Sequence, residues 1–327
     1  MRSKPSICFI SEKWVDANPN LPRSTNLTNL HSTAQQCKLF SSVYNLYVDE
    51  LYYAQQGKGT VNNILEELDR SGQLDLVDII FITHIGDSFL NPDPQIINAI
   101  KKNKKVIYSW PDTVWPWIDK ELNRTNQIAD FHIAHDIAPK RVEQLVKPNK
   151  IYSLGLSQDE NIFYYTRPEE KPIDLCFIGT QYGERESILK QVKANFPKLN
   201  MYISGGARVD KLTFEEYGRI LRDSKICINF SRSPVGVDQI KCRIFETAAC
   251  NTLLLDSENT QTPEMFRKDI DYKSFSSAEE ACSIIQHMLD NSSERISIAN
   301  SAYEYYQEMY SPLVYWRNVL QRLGYDQ

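Results

Sequence analysis

Residues 238–256, DQIKCRIFETAACNTLLLD, read as a charged loop, a helix and a buried strand in succession. Ile244, Phe245, Ala248 and Ala249 give the small, apolar face that a helix lays on a sheet. Leu253, Leu254 and Leu255 make the short unbroken apolar run of a parallel strand. Asn251 stands at the joint, where its tolerance of the left-handed conformation ends a helix. This order gathers Asp238, Lys241, Arg243 and Glu246 at the head of the helix, on the carboxyl edge of the preceding strand, where open α/β sheets bind ligands. An anion is favoured there.

Upstream, the same alternation repeats. An apolar strand over 172–178 ends in Gly179, Thr180, Gln181, Tyr182 and Gly183, and residues 184–195 follow as a helix that carries Arg185. A glycine at a strand end lets phosphates approach backbone N–H groups. The next strand, 200–204, ends in Gly205, Gly206 and Arg208; a helix over 213–223 starts with the capping box of Thr213 and Glu216; a strand over 225–230 then delivers the loop holding Arg232 to Asp238. With parallel strands, these ends converge on one site.

The first half begins with a buried strand over Ser6–Ser11 and a long polar loop. Helix-like and strand-like segments then alternate to about residue 154, which implies a second doubly wound parallel sheet. No G-x-G-x-x-G follows the first strand, so the dinucleotide-binding reading lacks its phosphate loop. The strand ends carry Thr83 and His84, then Ser109, Trp110 and Asp112, then His132, His135 and Asp136. His84 and Asp112 are candidates for lining a substrate cleft; the competing reading is strand-end residues bonded to nearby backbone. Three residues apart on a strand, His132 and His135 do not converge on a metal. Polar residues 159–172 mark the interdomain connection, with domains at 1–162 and 163–327. Three helices close the chain, the last two rich in tyrosine, as packing surface.

At 327 residues and 42% hydrophobic content the chain has material for two cores. Its formal net charge of -5 falls in the second half, the first 150 residues holding 17 basic and 17 acidic side chains, which gives no encouragement to nucleic-acid binding. Seven cysteines without a C-x-x-C read as reduced residues of a cytoplasmic protein, and no apolar run is long enough for a signal peptide or a membrane span. Asp269 and Asp271 form an Asp-x-Asp beyond the central stretch, read as a solvated turn rather than a metal site.

The pattern R-x-F-E-x-x-A-C formed by Arg243, Phe245, Glu246, Ala249 and Cys250, followed by Leu-Leu-x-Asp, resembles the donor-site segment of the CgeB-like (spore-protein type) glycosyltransferases, relatives of the retaining GT-B enzymes. DLCFIGTQYGER at 174–185 and the W-x-D at Trp110 to Asp112 resemble further segments of that family. Asp238 stands where Glu is usual and Asn251 where Gly is usual.

The resemblance implies a GT-B fold: two Rossmann-like, doubly wound parallel-sheet domains with a cleft between them and a C-terminal helical tail returning to the first. It implies a glycosyltransferase, hexosyl transfer foremost, using a UDP- or GDP-sugar as donor, retaining, without a metal and with no permanently bound cofactor. Glu246 would accept hydrogen bonds from the ribose, as a carboxylate can. Asp238 would face the sugar. Arg243, Lys241, Arg185 and Arg208, with Arg232, Gly179, Thr180, Gly205 and Gly206 around them, would meet the diphosphate. The acceptor, a glycan, lipid-linked, protein or small-molecule hydroxyl, would enter from the first domain. The alternatives are a nucleotide-sugar epimerase on the same fold, an inactive nucleotide-sugar-binding or structural protein and, more weakly, a DNA-modifying transferase.

Overall fold

The structure is a computed structural model that describes residues 4–13, 28–54, 61–83, 91–146, 150–204, 212–233 and 236–325. The chain divides into two compact units, Met1–Ser157 with Pro312–Gln327, and Gln158–Ser311. The division falls between Ser157 and Gln158, a few residues before the one drawn from composition at 162, and the last helix is counted with the first unit.

In the first unit β1 (Ser6–Ser11), β2 (Ser42–Tyr47), β3 (Ile79–Thr83), β4 (Lys105–Trp110), β5 (Phe131–Ala134) and β6 (Ile151–Ser153) form one sheet in the order β2-β1-β3-β4-β5-β6. Every pairing is parallel. The connecting helices are α1 (Thr28–Gln36), α2 (Val48–Ala54), α3 (Val61–Arg70), α4 (Pro94–Lys101), α5 (Ile118–Thr125) and α6 (Lys140–Leu145). On one face Ile80, Ile82, Val106, Tyr108 and Trp110 pack with Ile97, Ile118, Leu122 and Val142. On the other, Trp316 of α12 (Pro312–Arg322) stands edge-on to Phe9, Phe40 and Phe81.

In the second unit β7 (Ile173–Phe177), β8 (Met201–Ile203), β9 (Ser224–Asn229), β10 (Leu253–Ser257) and β11 (Tyr272–Phe275) run parallel in the order β11-β10-β9-β7-β8. Its helices are α7 (Glu184–Asn195), α8 (Phe214–Arg222), α9 (Arg243–Ala249), α10 (Ala278–Asp290) and α11 (Ser292–Met309). Because β7 is flanked by β8 on one side and β9 on the other, the chain reverses direction across the sheet there, and the carboxyl ends of β7 and β9 open a crevice.

Thr213 and Glu216 form the expected capping box on α8, and Asn251 takes φ 53, the left-handed joint expected between helix and strand. Its side-chain amide donates to Asn300 Oδ1 at 3.0 Å. Two elements escaped the pattern reading. The edge strand β11, YKSF, has too few apolar residues to announce itself, and α2 leaves β2 without a breaker between them. The solvated-turn reading of Asp269 and Asp271 is corrected in part: Asp271 is buried, paired through both oxygens with Arg267 at 2.8 Å and bonded by Ser301 Oγ at 2.8 Å. All seven cysteines are free. No described helix is long and apolar enough to cross a membrane.

Candidate functional site

The carboxyl ends of β7, β9 and β10 carry a continuous polar network. Asp256 on β10 is fully buried and accepts from Asn229 Nδ2 at 2.9 Å, Ser231 Oγ at 2.7 Å, Thr262 Oγ1 at 2.7 Å and Asn259 Nδ2 at 3.0 Å. Burial holds its carboxyl above the usual range despite those four donors. With its amide nitrogen on Asp256, Asn229 turns its oxygen to Arg243, whose Nη1 donates at 2.7 Å. The guanidinium also lies 5.5 Å from the centre of the Phe177 ring. Gly179 makes the room: a Cβ there would come within 2.9 Å of Arg243 Nη2. So the glycine is needed for the close approach of an arginine of the same chain, where the sequence suggested an approaching phosphate.

Glu246 lies one turn beyond Arg243, so the two share a helix face. It is fully buried, and its Oε2 accepts a hydrogen bond from the Tyr217 hydroxyl on α8. Burial pushes its carboxyl up to about 7, against the opposing effects of the Tyr217 hydrogen bond and the Arg243 charge. The Tyr217 phenol is raised well above its usual value, chiefly by burial and then by Glu246, and so stays a donor. Among the described residues, Arg243 Nε, a donor, and Glu246 Oε1, an acceptor, are buried without a hydrogen-bond partner. Buried polar groups are almost always paired, and this pair on one helix face suits a ligand with both hydrogen-bonding characters.

The other expected residues separate. Asp238 Oδ2 accepts from Thr260 N at 2.9 Å and Thr260 Oγ1 at 2.8 Å, and its backbone bridges to Arg232. Lys241 donates from Nζ to Gln239 Oε1. Arg185 is buried and turned inward: Nη2 donates to the carbonyls of Phe230 at 2.9 Å and Arg232 at 2.7 Å, and its guanidinium stacks 4.1 Å from the Tyr182 ring centre. It ties two loops together. Burial lowers its pKa to about 10. Thr180 is exposed and offers its carbonyl to Arg185. Arg232 is exposed, donating to the Gly236 carbonyl at 3.1 Å and lying 3.9 Å from Glu184. A cavity of about 520 Å³ opens here, lined by Tyr182, Arg185, Phe230, Arg232, Ser257 and Phe275 among others. Gly205, Gly206, Arg208 and His84 lie outside the described residues.

In the first unit Asp112 is exposed just after β4, while its neighbours take buried structural partners. Ser109 Oγ lies 2.7 Å from His135 Nε2, Trp110 Nε1 donates to His132 Nδ1 at 3.0 Å, and Asp136 accepts from Thr113 N and Oγ1 at 2.8 and 2.6 Å. Burial lowers His132 to about 3 and His135 to about 4, so both are neutral. Among the described residues no group of three His, Cys, Asp or Glu side chains is arranged to hold a metal.

Pattern reading passed over Tyr217 and Asn229, and took Asp256 only as the end of its motif. Asn229 and Asp256 do leave a trace, each a polar residue on an apolar strand just where the strand meets its loop. Nothing in the sequence pairs Tyr217 with Glu246, since the contact is made only when α8 and α9 pack side by side.

Residues 184–321 match the family model described as glycosyl transferase-like. The fold as a whole is GT-B. The solved structure of HepE from Anabaena, in complex with UDP and glucose, superposes with a TM-score of 0.63 at 9% identity, covering 98% of this chain and 99% of that one. A glycosyltransferase from Rickettsia africae superposes with a TM-score of 0.58 at 13% identity over 99% and 100% of the two chains. A Listeria monocytogenes protein described as a UDP-N-acetylglucosamine 2-epimerase gives 0.58 at 12% over 98% and 96%. No curated protein sequence matches the chain.

Proposed function

We propose that this protein is a glycosyltransferase that moves a hexosyl group from a nucleoside-diphosphate sugar to an acceptor hydroxyl, with the donor held by the second unit. The observation that carries the reading is the orphaned pair Arg243 Nε and Glu246 Oε1, buried on one face of α9 at the carboxyl edge of the sheet and inside the segment that matches the glycosyl transferase-like family. A nucleotide sugar supplies what both atoms lack: ribose hydroxyls to donate to the carboxylate and phosphate oxygens to accept from the guanidinium. UDP is the favoured nucleotide, because HepE of the same fold was solved with it; GDP is the second choice.

In this reading Arg243 neutralises the charge that develops on the departing diphosphate, a role its fixed, half-buried guanidinium suits. Asn229 and Asp256 hold that guanidinium in place. Asp238, whose Oδ2 accepts from Thr260 N and Oγ1, faces the sugar in this reading. Arg185, occupied with main-chain carbonyls, shapes the loops. Transfer proceeds with retention and without a metal, the basic side chains doing the work of a cation. Asp112, exposed just after β4, remains the described candidate for meeting the acceptor.

An epimerase on this fold is the second reading, since the similar Listeria protein carries that description without an activity shown. One experiment separates the two. UDP-glucose, UDP-galactose, UDP-N-acetylglucosamine and GDP-mannose are incubated with the protein and a panel of saccharide acceptors and followed by proton NMR. A transferase gives free nucleoside diphosphate and a new anomeric signal on an acceptor. An epimerase gives an inverted nucleotide sugar with the acceptors untouched, which would overturn the reading.

A further inference from the structure

We infer that Tyr217 is a positioning residue for the donor site: its hydroxyl holds one oxygen of Glu246 so that the other is presented to the ribose. The inference rests on the nucleotide-sugar reading above and assigns a role to a residue outside the motif that led to it.

Three observations carry it. The Tyr217 hydroxyl donates to Glu246 Oε2, while Oε1 of the same buried carboxylate has no partner among the described residues. A carboxylate anchored at one oxygen keeps a single orientation for the other, which is the pre-organisation a tight polar contact needs. The ring is itself clamped, with Phe163 edge-on at 5.7 Å and Phe214 at 6.3 Å between ring centres. The helix beneath it is seated by a glycine: a Cβ on Gly218 would come within 2.5 Å of Ile162 Cγ2 and 2.8 Å of the Ile162 carbonyl oxygen. Arg222, one turn on, donates to that same carbonyl. Residues 162 and 163 therefore fix α8, α8 fixes Tyr217, and Tyr217 fixes Glu246.

The surroundings of Glu246 leave this hydroxyl as its partner. Arg243 and Cys250 come from its own stretch of chain, Cys227 from β9, and Asp256 on β10 is occupied by four donors. On the far side α11 meets the end of the helix with the uncharged Asn300, bonded to Asn251.

The test uses wild type, Tyr217→Phe, Glu246→Gln and the double variant. Phenylalanine keeps the clamped ring and removes only the hydroxyl. UDP and GDP are titrated calorimetrically from pH 6 to 9. Tyr217→Phe is expected to weaken the bound nucleotide about tenfold, the scale of one hydrogen bond to a charged group. The inflection of affinity with pH should move upward, and the loss should nearly vanish when Glu246 is already glutamine. A loss of equal size in both backgrounds, with the inflection unmoved, would show Tyr217 to be structural only and overturn the inference. Without nucleotide, carbon-13 NMR of the Glu246 carboxyl, assigned by its absence in Glu246→Gln, should titrate higher in Tyr217→Phe than in wild type; an unchanged midpoint contradicts the inference. A wild-type protein that binds neither nucleotide would instead overturn the functional reading, and this role with it.

Discussion

Glu246 is an ionisable group placed where its charge is costly. Folding moves its carboxyl from an ordinary value of 4.5 to about 7, so between those values the native state holds more protons than the unfolded chain. Stability contributed by this group therefore falls as pH rises through that window, and above pH 7 the full cost, on the order of 3 kcal/mol, is present. Glu246→Gln should raise stability at pH 8 and change it little at pH 4.5, as read from urea unfolding at the two pH values. Equal effects at both would contradict the assignment. A buried carboxylate that weakens the fold fits the binding role proposed for Glu246. Gly179→Ala probes the same cluster sterically: the added methyl displaces the Arg243 guanidinium, and nucleotide affinity should drop about tenfold or more. At this scale the sequence was partly legible. Asn251 could be read because its backbone requirement is local. The inward turn of Arg185 could not, because the carbonyls it meets lie 45 and 47 residues further along the chain.

Among the elements, the β4 and β5 pair gives the clearest pH signature. His132 and His135 are buried and neutral, protonating at about 3 and 4 in the native state against 6.5 unfolded. Their contribution is complete above pH 6.5 and is lost as pH falls through the native values, by about 5 kcal/mol for His132 and about 3 kcal/mol for His135 at full loss. The first unit should therefore lose stability steeply between pH 6.5 and 4. Tryptophan emission reports it selectively, since all five tryptophans, at 14, 110, 115, 117 and 316, belong to that unit. His132→Gln with His135→Gln should flatten this acid limb while costing stability at neutral pH; an unchanged slope would contradict the account. The alternation of strands and helices was readable because each central strand is a run of apolar residues and each helix has its own period. The exceptions, β11 and α2, are an edge strand with polar content and a helix joined directly to a strand, which lack the apolar run or the breaker that pattern reading depends on.

For the whole molecule, the last helix belongs with the first unit although it follows the second in sequence. Trp316 is fully buried there, edge-on to Phe9, Phe40 and Phe81, and its Nε1 donates to Thr33 Oγ1 at 2.9 Å. Trp316→Ala should cost about 3–5 kcal/mol of the first unit's stability, seen as a lowered melting temperature in the remaining tryptophan signal. A change below about 1 kcal/mol would mean that α12 contributes little to that core. The 9% identity to HepE over nearly the full length shows how little of a GT-B fold is specific side chains, since apolar patterning and approximate volume suffice to build the two sheets. Site chemistry is more exacting. Arg243 and Glu246 could be picked out as candidates because they sit together in one short stretch, which also ends in Asp256; Tyr217 and Asn229 join them only through packing. The most direct test of the donor site is calorimetric titration of UDP, GDP, ADP, CMP and dTDP into wild type and Glu246→Gln. The account predicts micromolar binding of one nucleoside diphosphate, UDP first, lost or weakened at least tenfold in the variant; equally tight binding to both proteins, or none to wild type, would contradict it.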